Sequence, residues 1–277
     1  MAKGTGLIGN FKGKVGNTVG YKLSASNNGQ TQGIRVYQPI VKNPRTAAQA
    51  EQRAKLSPIN ATYRALKMII DRGNEGQPYG NKSRLAWIKS AFKATEMPWF
   101  EKGEEVYAPV ICPLTKGSLQ FMNTLGNSNT ECKMVVSGLE AATDNTIGKV
   151  STKILAVTPG VKEGDQLTFV SVLNQDNHMT AKVDSFIINS TSTESVPAAF
   201  SVDDDALTQQ YSLGVVTAGA IILSRQGDNG EHLRSNTQLV KFDDYPSDVL
   251  ADTAKSAAIA SYQSSGYVNA DWAEEAI

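Results

Sequence analysis

After Pro98-Trp99-Phe100 the apolar residues stop recurring every three or four positions and begin to alternate. This change of period constrains the fold more than any other feature of the chain. Downstream of it, β-formers gather in short runs: Tyr107–Cys112, Cys132–Ser137, Val150–Val157, Gln166–Leu173, Thr180–Ile188, Tyr211–Ser224 and Ser235–Phe242. Turn signals such as Thr158-Pro159-Gly160 and Asp228-Asn229-Gly230 separate them. Runs of this length and spacing predict an antiparallel β-sandwich over residues 104–245, immunoglobulin-like in its spacing. Asp203-Asp204-Asp205 reads as a solvated loop, since its spacing is not that of a calcium loop. Residues 246–277 read as a helix capped at Ser247 and running to Tyr262, then an acidic tail in which Trp272 offers an anchor.

Upstream, residues 43–103 carry helical signals. Asn43 is a natural N-cap, Pro44 suits the first helical position, and Thr46–Leu56 is rich in helix formers. Pro58 is expected to interrupt that run, with a second helix resuming through Ala61, Leu66, Met68, Ile69 and Ile70 and stopping at Gly73. In a third helix, Leu85, Ile88, Ala91 and Phe92 make one apolar stripe. Residues 1–42 differ again. Glycines punctuate short runs such as Lys14-Val15 and Thr18-Val19-Gly20-Tyr21, and Asn27-Asn28-Gly29 is the expected turn of a β-hairpin arm. So glycine-rich a segment packs few side chains and has to lie on something. The fold class is therefore α+β: a glycine-rich N-terminal β-hairpin arm, a short helical region, a C-terminal β-sandwich and a terminal helix.

Charge is divided along the same line. Residues 1–102 carry 17 Lys+Arg against 5 Asp+Glu, whereas residues 103–277 carry 10 against 22. The net charge of zero is thus a cancellation, which points to docking of a basic half on an acidic or polyanionic partner, or head-to-tail assembly of copies. No run of about 18 apolar residues is present, so no membrane span is expected, and the first residues lack the apolar core of a secretory signal. Cys112 and Cys132 are expected to be reduced and buried, as in a protein assembled in a cytoplasm.

Signatures of chemistry are sparse. His178 and His232 have no partner at metal-ligand spacing, and no nucleophile elbow, His-Glu-x-x-His or Cys-x-x-Cys occurs. The glycines of the first segment match neither dinucleotide nor Walker spacing. No catalytic residue, metal site or cofactor is expected. The basic half interleaves cations with Phe11, Tyr21, Tyr37 and Tyr63, a pattern that suits either an acidic protein face or the phosphates and bases of a single strand.

Several pieces also carry a resemblance. They are Gly9–Tyr21, Val41–Thr46 with Gln52-Arg53, Tyr79–Arg84, Lys116–Leu119, and the Ser224-Arg225 to Arg234-Ser235 segment. With them the chain resembles an uncharacterised family whose members occur in gut Bacteroidetes genomes and in phages of those bacteria. The resemblance implies no catalytic residues; it implies a virion component. The leading expectation is a non-enzymatic phage structural protein, located in the virion and associated with the capsid, a vertex, the neck or a decoration. It would bind capsid or other virion proteins through Lys12, Lys14, Tyr21, Lys22, Arg35, Tyr37, Lys42, Arg45 and Arg53, as a homo-oligomer. The alternatives are a nucleic-acid-binding protein that organises the genome through the basic half, and, ranked last, a host-surface spike or adhesin.

Overall fold

The run Val215-Val216-Thr217-Ala218-Gly219-Ala220-Ile221-Ile222-Leu223 is apolar at almost every position, and a strand of that composition needs cover on both faces. That need organises the main body. The computed structural model describes residues 13–22, 32–37, 46–121, 131–175, 178–211 and 215–264. Its contacts divide into two units, Met1–Arg45 and Thr46–Ile277.

In the first unit, β1 (Gly13–Val15), β2 (Thr18–Lys22) and β3 (Gln32–Val36) form an antiparallel sheet in that order. Gly16-Asn17 is a two-residue hairpin loop between Val15 and Thr18, with Gly16 at φ +58°. Glycine is the residue that reaches this conformation at the first loop position without strain. The expected turn at Asn27-Asn28-Gly29 lies outside the described residues.

The second unit is an α+β body. In chain order it contains α1 (Ala47–Ala65), α2 (Lys67–Ile70), α3 (Asn81–Ala91), β4 (Cys112–Thr115), β5 (Lys133–Val135), α4 (Ile147–Val157), β6 (Gln166–Gln175) and β7 (His178–Ile187). There follow β8 (Phe200–Asp203), β9 (Ala206–Gln209), β10 (Val215–Gln226), β11 (His232–Arg234), β12 (Thr237–Lys241) and α5 (Asp252–Ser264). Strands run β4-β12-β10-β6-β7 in a six-stranded sheet, with β11 on the end of β10, and β5-β9-β8 form a second, smaller sheet. Every pairing between these strands is antiparallel.

Alternation along β6 and β10 sends side chains into two cores. On one face Val170, Val172, Ala218, Ala220 and Ile222 pack with Ile59, Leu66, Ile70, Trp87 and Ala91 of the helices. On the other, Leu167, Phe169, Ile221 and Leu223 pack with Met134, Leu207 and Phe200 of the small sheet and with Val150 and Ile154 of α4. Phe200 sits edge-on to both Phe169 (5.1 Å between centroids) and Phe186 (5.8 Å). Each such buried aromatic contributes about 1.5–3 kcal/mol by burial alone. A third cluster, Ala54, Trp99 and Ala258, joins α1 to α5. The ammonium groups of Lys55 and Lys255 both lie over the Trp99 ring there, at 5.5 and 5.2 Å.

Several expectations are corrected. The strands expected as a sandwich form the large sheet, which packs through one core on the small sheet and α4, and helices cover its other face. Val150–Val157 is helical: Val150, Ser151 and Ile154 are buried one turn apart, a period the β-formers concealed. Tyr107–Cys112 is not a strand; Ile111 takes φ +52° and the chain turns before β4 begins. Pro58 does not break the first helix but lies within α1, buried in the row Ala50, Ala54, Pro58. Tertiary packing there offsets the hydrogen bond that proline removes. The described N-cap is Thr46, whose Oγ1 accepts the Gln49 N–H at 3.3 Å; Asn43 and Pro44 lie outside the described residues. On α3 the inward row is Ser83, Trp87 and Ala91, while Leu85 is 58% exposed. The terminal helix is preceded by a 3₁₀ turn at Asp248–Leu250, and the acidic tail with Trp272 lies outside the described residues.

Candidate functional site

Register in the N-terminal sheet places the cations. Lys14 of β1 lies opposite Val19 of β2, and Val19 lies opposite Arg35 of β3. Directly opposed residues of an antiparallel sheet point to the same face. Lys14, Val19 and Arg35 therefore form one row across the three strands. Tyr21, two residues along β2, belongs to the same face, and Tyr37 follows Arg35 by two. The Tyr37 N–H donates to the Asn17 carbonyl at 2.8 Å, which anchors its backbone to the hairpin loop. The Lys14 ammonium then lies 3.6 Å from the Tyr37 ring centroid, a cation–π contact. Lys14 and Arg35 are exposed, and both tyrosines are half-buried.

Four of the nine expected partner-binding residues thus share one face. Of the others, Lys22 closes β2 opposite Gln32, and Arg53 is half-buried on α1 in the second unit. Lys12, Lys42 and Arg45 lie outside the described residues. The face lies in an acid-free segment: residues 1–45 carry seven Lys+Arg and no Asp or Glu, against 20 Lys+Arg and 27 Asp+Glu in residues 46–277. Among the described residues, none of the three apolar clusters includes a residue of this unit.

The second unit holds a half-open cleft of about 560 Å³ between α3, β4 and β12, lined by Trp87, Leu114, Lys116, Phe121, Gln238 and Val240 among others. Among the described residues, no Asp, Glu, His or Cys lines it. The Trp87 Nε1 is buried and has no hydrogen-bond partner. Among the described residues no group of three His, Cys, Asp or Glu is placed to hold a metal. No described helix is long and apolar enough to cross a membrane. His178 and His232 are exposed at the starts of β7 and β11.

Other polar groups are engaged in structure. Asp165, 1% exposed, accepts both Nε–H and Nη2–H of Arg225 at 2.6 Å and the Lys162 N–H at 2.7 Å. The Asp165 hydrogen bond raises the pKa of Arg225, against the opposing effect of burial. Asp203-Asp204-Asp205, expected as a solvated loop, is exposed at all three positions: Asp203 ends β8, and Asp204-Asp205 form the hairpin turn to β9. Asp205 accepts the Gly138 N–H at 2.6 Å and Asp204 the Ala141 N–H at 3.1 Å, so two of its carboxylates hold the 138–141 turn. Cys112 and Cys132 are free and buried, and burial pushes both thiols up to about 12. Sequence reasoning missed the Glu75 carboxylate, which joins three distant segments: it accepts the Ser118 N–H and Oγ–H, each at 2.8 Å, and the Arg234 N–H at 3.2 Å. The only sequence signal for it is that Ser118 and Arg234 lie in two of the quoted motif pieces.

Comparison of the chain with protein-family models, with curated proteins and with solved structures returns no match.

Proposed function

We propose that this is a non-enzymatic structural protein of a phage particle, docked on another virion protein through the basic face of its N-terminal sheet. The observation that carries the reading is the row Lys14–Val19–Arg35, flanked by Tyr21 and Tyr37, in a segment, residues 1–45, whose sequence contains no Asp or Glu. A three-stranded sheet this small gains stability by lying against something else. Two exposed cations beside two tyrosines suit an acidic protein surface, with the rings supplying contact area and the cations orientation. The resemblance to a phage-associated family selects a virion protein as that surface, and the acidic second unit is the part left facing outward or toward sister copies.

The same alternation of cations and aromatics favours a second reading, in which the face binds single-stranded nucleic acid. The two separate cleanly. Gradient-purified, nuclease-treated particles, quantified by mass spectrometry against the major capsid protein, contain the protein at a fixed stoichiometry under the first reading. Under the second, the isolated protein binds an oligonucleotide with an affinity that weakens steeply with salt. Absence from particles before nuclease treatment defeats both.

A further inference from the structure

Among the described residues, the outer edge of β7 is the longest strand edge that no other strand pairs. Its ten residues match β6 in an unbroken register, contain neither proline nor glycine, and show no bulge. Edges of soluble proteins are ordinarily shortened, bulged or blocked, because a row of free N–H and C=O groups is a template for another strand. Val183 and Ile187, 41% and 60% exposed, add apolar surface at this edge, on the face where the helices cover Met179 and Ala181. The charged side chains of β7 are Lys182 and Asp184. They share the opposite face, 3.6 Å apart, where Lys182 donates to the Gln210 carbonyl and Asp184 accepts from Gln209 Nε2 at 2.6 Å.

Symmetry makes this pattern informative. Two copies that pair edge to edge and antiparallel are related by a two-fold axis normal to the sheet, so opposed residues share a face and the axis passes through a residue. An axis at Lys182 opposes lysine to lysine, and one at Asp184 opposes aspartate to aspartate; both are disfavoured. An axis at Val183 sets Lys182 against Asp184 of the partner subunit, twice, and sets exposed Ile187 against Met179 of the partner subunit. We propose that β7 is the interface of a homodimer in which two large sheets join about a two-fold axis through Val183. This proposal is independent of the N-terminal docking face.

The test uses the full chain. Light scattering after size exclusion, at tens of micromolar, gives twice the 29.7 kDa chain mass. Lys182→Glu opposes like charges at two places and returns the monomer. Val183→Cys puts two thiols on the axis, and copper–phenanthroline oxidation yields a covalent dimer at least tenfold more readily than from Ile187→Cys, whose partner position is 179. The native thiols are buried and stay silent. A monomeric wild type overturns the proposal, as does a dimer that survives Lys182→Glu, or equal cross-linking at 183 and 187. If circular dichroism shows Lys182→Glu unfolded, the comparison of the two cysteine variants decides.

Discussion

Gly219 sits mid-strand in β10, where the ring of Phe242 lies 2.4 Å from the position a β-carbon would occupy and the Val170 carbonyl 3.2 Å from it. Phe242 is 4% exposed, so its ring has little room to yield. Gly219→Ala is expected to lower stability by about 1–3 kcal/mol, read as a reduced denaturation midpoint. A midpoint at or above wild type would show that the ring gives way freely. At Asp165, truncation to alanine leaves the Arg225 guanidinium without its two-pronged partner and the Lys162 N–H without its acceptor. The cost is about 3 kcal/mol, the lower end for a broken buried pair, because Arg225 keeps 20% exposure. Cys112 and Cys132, with thiols held at about 12 by burial, should resist Ellman's reagent at neutral pH until denaturant is added. Rapid labelling of native protein would contradict that burial. Neither the Asp165 pair nor the Gly219 contact was legible in the sequence. Arg225 and Asp165 are 60 positions apart, and nothing in the local pattern marks a glycine faced by a ring from another strand.

Elements were legible where their period was clean and obscure where β-branched residues sat in helices. β6 and β7 lie close to the boundaries expected from alternation, and α3 was signalled by its flanking Gly80. The residues of α4 invited a strand because Val150, Ile154 and Val157 are β-formers, yet they bury at one-turn spacing against the small sheet. Contacts between elements are the least visible level. Glu75 illustrates it: its carboxylate ties the loop after α2 to residue 118 and to β11, and a β-carbon on Gly117 would lie 2.7 Å from Glu75 Oε2 and 2.1 Å from the Arg234 carbonyl. Burial raises the pKa of Glu75, but the hydrogen bonds from Ser118 and Arg234 outweigh it and hold the value below 4.5. The stabilisation they give is present above the unfolded value and is lost as pH falls through the folded one. Glu75→Gln should cost about 1.5 kcal/mol near neutrality. That gap between variant and wild type should close as urea midpoints are followed down through acid pH. A gap that persists unchanged in acid would assign the effect to packing instead.

At the scale of the molecule, the charge division read at residue 102 does not coincide with the boundary between the two units, which falls after Arg45. Residues 1–45 carry seven positive charges and no negative ones, and the excess of negative charge lies in the unit that begins at Thr46. Among the described residues, the three apolar clusters draw on buried residues from Ala54 to Ala258. Deleting residues 2–42 should therefore leave the thermal midpoint of the remaining body within about 2 °C of wild type. A drop of 10 °C would mean that the first unit supplies part of the core. Under the proposed function, the Lys14–Arg35 face holds this protein on its particle. The most direct measurement is the copy number of Lys14→Glu/Arg35→Glu in purified particles, by mass spectrometry, beside wild type expressed at the same level. Loss of at least nine-tenths of the incorporated copies is expected, with an unchanged melting profile of the free protein. Wild-type copy number in the doubly substituted particles would contradict it.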